Sequence, residues 1–268
     1  MAIWDEYKWK FWDPKTETLP EEPKTQRRIS LCTTCMNRTY DLKKTLIQNI
    51  IHNQDYPNVE FVLLNYNSTD DLDEWVRQYL MGWIEDGTLV YYKTVEPQYY
   101  EMGHSRNVAF KLATGDIVNN VDADNYTNKG FAEVLNKMAE VQPKDAVFAK
   151  GKRMMHGRFG MYRDEFIAIG GYDEELTGYG FDDHNVLYRA MALGKKFMWW
   201  GHECPMDRIK TPRNVVGQNM REKSWRKTEK INKEITMKKL EAGVRVVNEG
   251  HHWGKANLIK NFKEEVSV

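Results

Sequence analysis

The segment Gly115-Asp116-Ile117-Val118-Asn119-Asn120-Val121-Asp122-Ala123-Asp124-Asn125 constrains this chain more than any other. A short apolar run rich in β-branched residues ends abruptly in two carboxylates separated by one alanine. If 117–121 is a strand, alternate side chains share a face, so Asp122 and Asp124 point the same way. Two acids on one face at the end of a buried strand repel each other and are poorly solvated. A divalent cation, itself holding phosphate oxygens, relieves both problems. The competing reading is a turn, in which Asp and Asn are both common. The flanking sequence favours the first.

Around this stretch, strand and helix patterns alternate. Residues 29–34 read as a strand and 41–53 as a helix, with Leu42, Leu46 and Ile50 beside Ile47 and Ile51 at helical spacing. Residues 59–64 read as a second strand. A helix follows over 71–80, placing Leu72, Trp75, Val76 and Tyr79 on one face. The spacing then predicts a strand at 88–94, a helix at 103–113, the central strand, and a helix at 131–141. Such alternation signals a mostly parallel α/β sheet, whose ligands sit beyond the carboxyl ends of the strands. Polar clusters follow the first, second and central strands, on that side. Further on, strands are expected at 145–150, 157–162 and 196–200, with helices at 164–169 and 185–193. A long, highly charged helix at 220–241 lacks an apolar stripe and is expected to lie on the surface as a solvated face.

The chain has 268 residues, 41% hydrophobic and 29% charged, which describes a globular protein with a full core. Its 39 basic and 39 acidic residues cancel overall, but residues 205–268 hold 15 Lys/Arg against 8 Asp/Glu. That basic segment could follow a phosphate backbone or simply be a charged surface. Cys32 and Cys35 form a C-x-x-C, but no second such pair exists to complete a structural zinc site. The charged start of the chain lacks the apolar core of a signal peptide, and no run reaches membrane-spanning length. A cytoplasmic protein with no integral membrane segment is expected. The expected organisation is an aromatic arm and linker (1–28), a body (29–204) and a helical, basic C-terminal extension (205–268).

Four motifs in order resemble the family 2 glycosyltransferases. Asn65-Tyr66-Asn67-Ser68-Thr69-Asp70 is similar to the family's loop after the second strand. Gly103-His104-Ser105-Arg106-Asn107 resembles its helix start, and Asp122-Ala123-Asp124 its Asp-x-Asp motif. Gly170-Gly171-Tyr172-Asp173-Glu174 with Gly178-Tyr179-Gly180-Phe181-Asp182-Asp183 looks like its acceptor loop, in the galactosyltransferase variant. The resemblance spans about 29–202 and implies the type A (GT-A) fold, Rossmann-like, with a mostly parallel sheet flanked by helices. It also implies a metal-dependent, inverting enzyme that moves a sugar from a nucleotide-sugar donor, UDP-sugar favoured, to a hydroxyl.

On that resemblance, Asp124 ligates Mn2+ or Mg2+, and Asp122 contacts the ribose or metal-bound water. His202 completes the metal shell, with His251 and His252 as rivals. Arg106 meets a phosphate. Thr33, Thr34 and Arg38 line the nucleoside pocket together with the loop of Asn65 and Asn67. Asn65 stands where the family usually has an aspartate, which leaves the base open. Asp183 is the expected general base, with Asp182 positioning the acceptor, and the segment 178–180 is expected to be mobile. The acceptor is a glycan, a protein or a nucleic acid such as a modified viral DNA base. A binder of nucleotide sugar or glycan without turnover is the alternative class.

Overall fold

The computed structural model describes residues 18–142, 144, 147–150, 158–200, 206–210, 215, 217–250 and 252–268, with 148–150 and 199–200 by backbone alone. Strand β1 (Ile29–Cys35) is buried along its whole length, and β2 (Val59–Tyr66) is buried after its first residue. Strands covered on both faces need helices on both sides, which crossover connections between parallel strands provide. β1 pairs in parallel with β2 on one side and with β4 (Ile117–Asn120) on the other. β2 in turn pairs in parallel with β3 (Leu89–Thr94).

Beyond β4 the sheet continues through β7 (Gly160–Tyr162) and β6 (Val147–Lys150), both pairings antiparallel, to β8 (Phe197–Trp200), parallel to β6. At the opposite edge, a hairpin of β10 (Asn257–Lys260) and β11 (Glu264–Ser267) lies antiparallel against β3. The order is β11-β10-β3-β2-β1-β4-β7-β6-β8.

Alternation along the strands feeds two cores. Ile29, Leu31, Phe61 and Leu63 face α1 (Thr39–Asn53), α2 (Leu72–Tyr79), α3 (Met81–Glu85) and α5 (Phe131–Val141). Cys32, Val62, Leu64 and Val118 face α4 (Met102–Leu112), α6 (Arg163–Ala168) and α7 (Asp182–Ala192). Cys32 and Cys35 therefore point to opposite faces of β1, so the C-x-x-C is not a redox pair. Both thiols are free, and burial pushes that of Cys35 up to about 12.

Glu60 fastens the sheet at its other end. Its carboxylate accepts from Ser30 Oγ (2.5 Å), Thr114 N (2.6 Å), Thr114 Oγ1 (2.8 Å) and Arg28 Nη2 (3.0 Å). The linker is docked rather than free: Asn136 Nδ2 donates to the Thr25 carbonyl at 2.8 Å, and Arg27 pairs with Glu140 at 2.9 Å. The aromatic arm expected before it falls on residues 1–17, outside the described residues.

Several boundaries differ from expectation. β4 stops at Asn120, so Asp122 and Asp124 lie in a turn, closed by Asn125 N–H to the Asp122 carbonyl at 2.9 Å. The turn reading is correct for the backbone. α7 begins at Asp182, three residues early, and α8 (Trp225–Glu241) begins five residues late. The segment after 204 is not only helical. It also contributes β9 (Met206–Arg208), paired with β5 (Asn125–Thr127), and the edge hairpin. Among the described residues, no helix is long and apolar enough to cross a membrane.

Candidate active site

In the order β3-β2-β1-β4, chain connections leave the sheet in opposite directions between β1 and β4. A crevice opens there, beyond the strands' carboxyl ends. The turn carrying Asp122 and Asp124 sits at this point. Helix α1 holds it through polar residues one turn apart: Thr45 Oγ1 donates to the Ala123 carbonyl (2.7 Å) and Asn49 Nδ2 to that of Asn125 (2.9 Å).

Arg106 reaches the crevice from α4 and is only 2% exposed. Its Nη2 donates to Asp122 Oδ1 at 3.0 Å, and its Nη1 to Asp182 Oδ2 at 2.6 Å and Asp183 Oδ1 at 2.8 Å. Burial works against the guanidinium's charge, but Asp183, Tyr172, Asp122 and Asp182 outweigh it and hold the proton firmly. Arg106 was expected to meet a phosphate. Here it gathers three carboxylates drawn from two distant parts of the sequence.

Those carboxylates differ. Burial pushes the Asp183 carboxyl up to about 8; Arg106 opposes this, while Asp182 and Asp122 reinforce it. Burial also raises Asp182. Burial pushes Asp122 up as well, but there Arg106 and Arg158 prevail and its carboxyl ends below the ordinary value. Asp182 is 7% exposed and Asp183 17%, so Asp183 is the one a substrate can reach more easily.

Asp122 and Asp124 are further flanked by Arg158, whose Nη2 lies 3.9 Å from each, and Asp124 by Arg38 at 3.7 Å. Arg158 gave no signal in the sequence; it precedes β7 without a motif. Among the described residues, no group of three or more His, Cys, Asp or Glu forms a metal cage. Two carboxylates are a hard oxygen set that suits Mn2+ or Mg2+ where substrate oxygens and water complete the shell. His202 and His251 lie outside the described residues, and His252 is exposed.

At the end of β1, Thr33 and Thr34 are buried, and Thr34 Oγ1 is 2.5 Å from the Tyr100 hydroxyl. Two expected contacts are turned elsewhere. Asn65 donates to Asp73 (2.9 Å) and the Tyr91 hydroxyl (2.8 Å) and accepts from Ser68 N (2.7 Å), so its amide is committed inside the protein. Asn67, with φ of +58°, donates to the Pro97 carbonyl at 2.8 Å and shapes the turn. A cavity of about 290 Å³ opens beside the start of α4, lined in part by Tyr66, Tyr99, Glu101, His104 and Arg221. Burial pushes the Glu101 carboxyl up, and the nearby Gly178 backbone N–H and Arg221 oppose this, which sets the cavity beside the expected acceptor loop. The loop itself, expected to be mobile, is tied down by hydrogen bonds to α8.

A mainly parallel sheet with its acids gathered at the switch point is the architecture of a GT-A glycosyltransferase. The chain belongs to glycosyl transferase family 2, whose model matches residues 30–201. Among solved structures, the mannosyltransferase PcManGT from Pyrobaculum calidifontis, in complex with GDP-Man and Mn2+, is similar with a TM-score of 0.57. It is 20% identical over 70% of this chain and 59% of its own. S. aureus TarS 1-349 in complex with UDP-GlcNAc gives 0.56 at 13% identity, over 83% and 74%. GalNAc-T7 with UDP, GalNAc and Mn2+ gives 0.55 at 14%, over 66% and 43%. At these identities the likeness is one of fold. This chain spans less than two thirds of the mannosyltransferase and of GalNAc-T7. Comparison with curated protein sequences finds no significant match.

Proposed function

We propose that this glycosyltransferase moves a sugar from a nucleoside-diphosphate sugar, a UDP-sugar favoured, to an acceptor hydroxyl with inversion, and that Asp183 is the general base. The observation that carries this reading is the convergence of Asp122, Asp182 and Asp183 on the buried Arg106. Asp122 belongs to the turn proposed for the metal, and Asp182 and Asp183 follow the proposed acceptor loop, so donor and acceptor ends would meet at one guanidinium.

Asp122 and Asp124 would hold Mn2+ or Mg2+, which supplies positive charge to the departing diphosphate. His202 stays the proposed third protein ligand, with His251 and His252 as alternatives. Thr33, Thr34 and Arg38 would border the nucleoside. Asp183, the more exposed of the pair and held by Arg106 at 2.8 Å, would take the acceptor proton at Oδ in its ionised form. Asp182, more buried, would orient Arg106 rather than touch substrate.

The test is metal-dependent hydrolysis across UDP-, GDP-, ADP- and dTDP-sugars, since transfer to water needs no known acceptor. Release of one nucleoside diphosphate is expected, lost in Asp124→Ala. Asp183→Asn should keep donor binding and lose on the order of 100-fold or more in turnover. If no donor is cleaved and calorimetry detects no binding, the reading is wrong.

A further inference from the structure

Helix α8 has no apolar stripe, yet Thr228, Asn232, Thr236 and Leu240 are buried. Their four-residue spacing puts them on one face of the helix. That face holds the backbone leading into Asp182. Asn232 Nδ2 donates to the carbonyls of Thr177 (3.1 Å) and Gly180 (2.8 Å). Thr228 Oγ1 donates to the Tyr179 carbonyl (2.7 Å) and lies 3.2 Å from the Tyr179 nitrogen, whose N–H it accepts. One turn into α7, Asn185 Nδ2 donates to Thr236 Oγ1 at 3.1 Å.

The loop is shaped to let the helix approach. Gly178, Gly180 and Phe181 have φ of +71°, +94° and +67°. A Cβ at Gly178 would lie 2.6 Å from Thr228 Cγ2, and one at Gly180 would lie 3.0 Å from Glu229 Cβ. Lys239, farther along α8, pairs with the buried Asp173 at 2.7 Å. The loop is itself partly exposed, so its backbone is not held by burial; the α8 side chains supply partners to the carbonyls of Thr177, Tyr179 and Gly180.

We propose that α8 is a positioning element of the reaction, in which Thr228 and Asn232 fix the backbone that aims Asp182 and Asp183 at Arg106. This inference rests on the functional reading given above. It makes the acceptor loop preset rather than a closing lid, and it gives a role to a helix whose sequence reads as solvated surface.

Thr228→Val keeps the shape and removes the hydroxyl, Thr228→Ser keeps the hydroxyl, and Asn232→Leu removes both amide bonds. Hydrogen exchange over 177–185 is measured beside donor turnover in wild type and variants. In Thr228→Val and Asn232→Leu, loop exchange should rise about tenfold or more while β1 to β4 stay protected. The kcat should fall on the order of 10- to 100-fold with donor KM within about twofold, because the loss is one of aim. Thr228→Ser should restore both. Unchanged loop exchange overturns the clamp even if wild type turns over no donor. Protection lost throughout the chain also overturns it, since α8 would then be a general support. Faster loop exchange with unchanged kcat overturns the positioning role. A wild type silent towards every donor is instead a failure of the functional reading, seen before any variant is measured.

Discussion

Removing the Arg106 guanidinium would leave Asp122, Asp182 and Asp183 facing one another with no shared partner. Breaking a buried ionic cluster from one side costs about 3–5 kcal/mol. Arg106→Met should therefore lower the unfolding free energy from urea titration by about that amount, more than Asp122→Asn, which leaves the two other ion pairs of Arg106 standing. The opposite end of the sheet has its own ionic anchor. Burial pushes the Glu60 carboxyl up, but hydrogen bonds from Ser30, Thr114 and Arg28 together outweigh it, so it ends below its ordinary value of 4.5. A carboxyl depressed in the folded state gives stability that is present above the unfolded value and is lost as pH falls through the folded one. Urea midpoints measured from pH 7 down to pH 3 should fall below about pH 4.5 in wild type. Glu60→Gln should start with an unfolding free energy lower by roughly 1–3 kcal/mol and show a flatter acid limb.

Two helices hold the loops of the site by the same device, a run of Thr and Asn at four-residue spacing turned inward. In α1 these are Thr45, Asn49 and Asn53; in α8, Thr228, Asn232 and Thr236. Hydrophobic periodicity finds helices by their apolar faces, so it marks α1 but cannot see either polar face. With no apolar stripe to orient it, the charged run of α8 reads as solvated surface. The same limit explains why the fold was more legible than the site. Apolar alternation and turn residues marked the strands from β1 to β4 and their helices, and the motifs marked Asp122, Asp124, Arg106, Asp182 and Asp183. Arg158 has no spacing to betray it, and the inward turn of Asn65 depends on Asp73 and Tyr91, which only the folded chain brings near. The α1 device has a measurable consequence. Asn49→Leu would orphan the Asn125 carbonyl and the Thr127 N–H, which Asn49 bonds at 2.9 and 2.8 Å. It should cost roughly 2–4 kcal/mol in chemical unfolding and raise the Mn2+ concentration needed for half-maximal donor hydrolysis.

Across the whole molecule, the β10–β11 hairpin links the last residues of the chain to a strand formed early in it. Asn261 exchanges hydrogen bonds with Tyr91, its N–H to the carbonyl at 2.7 Å and its Oδ1 from the N–H at 2.8 Å. Phe262 packs on the Tyr91 ring with centroids 4.7 Å apart, and Leu258 joins the second core. The hairpin escaped the sequence reading because its strands are short and charged, and its turn uses Asn261 and Phe262 at φ of +50° and +62° instead of a glycine. Without it, β3 would present an open edge to other chains. A chain cut after residue 255 should aggregate, visible as early-eluting material in size exclusion and as rising light scattering, whereas Glu264→Ala in the full chain should not. The same closure also sets a schedule during synthesis. The ribosome releases β3 long before the strand that caps it, and at about 5–20 residues per second that interval is on the order of ten seconds or more. Throughout it β3 is paired with β2 on one side and unguarded on the other, so slow translation between β3 and β10 would lengthen the time in which neighbouring nascent chains on a polysome can join edge to edge.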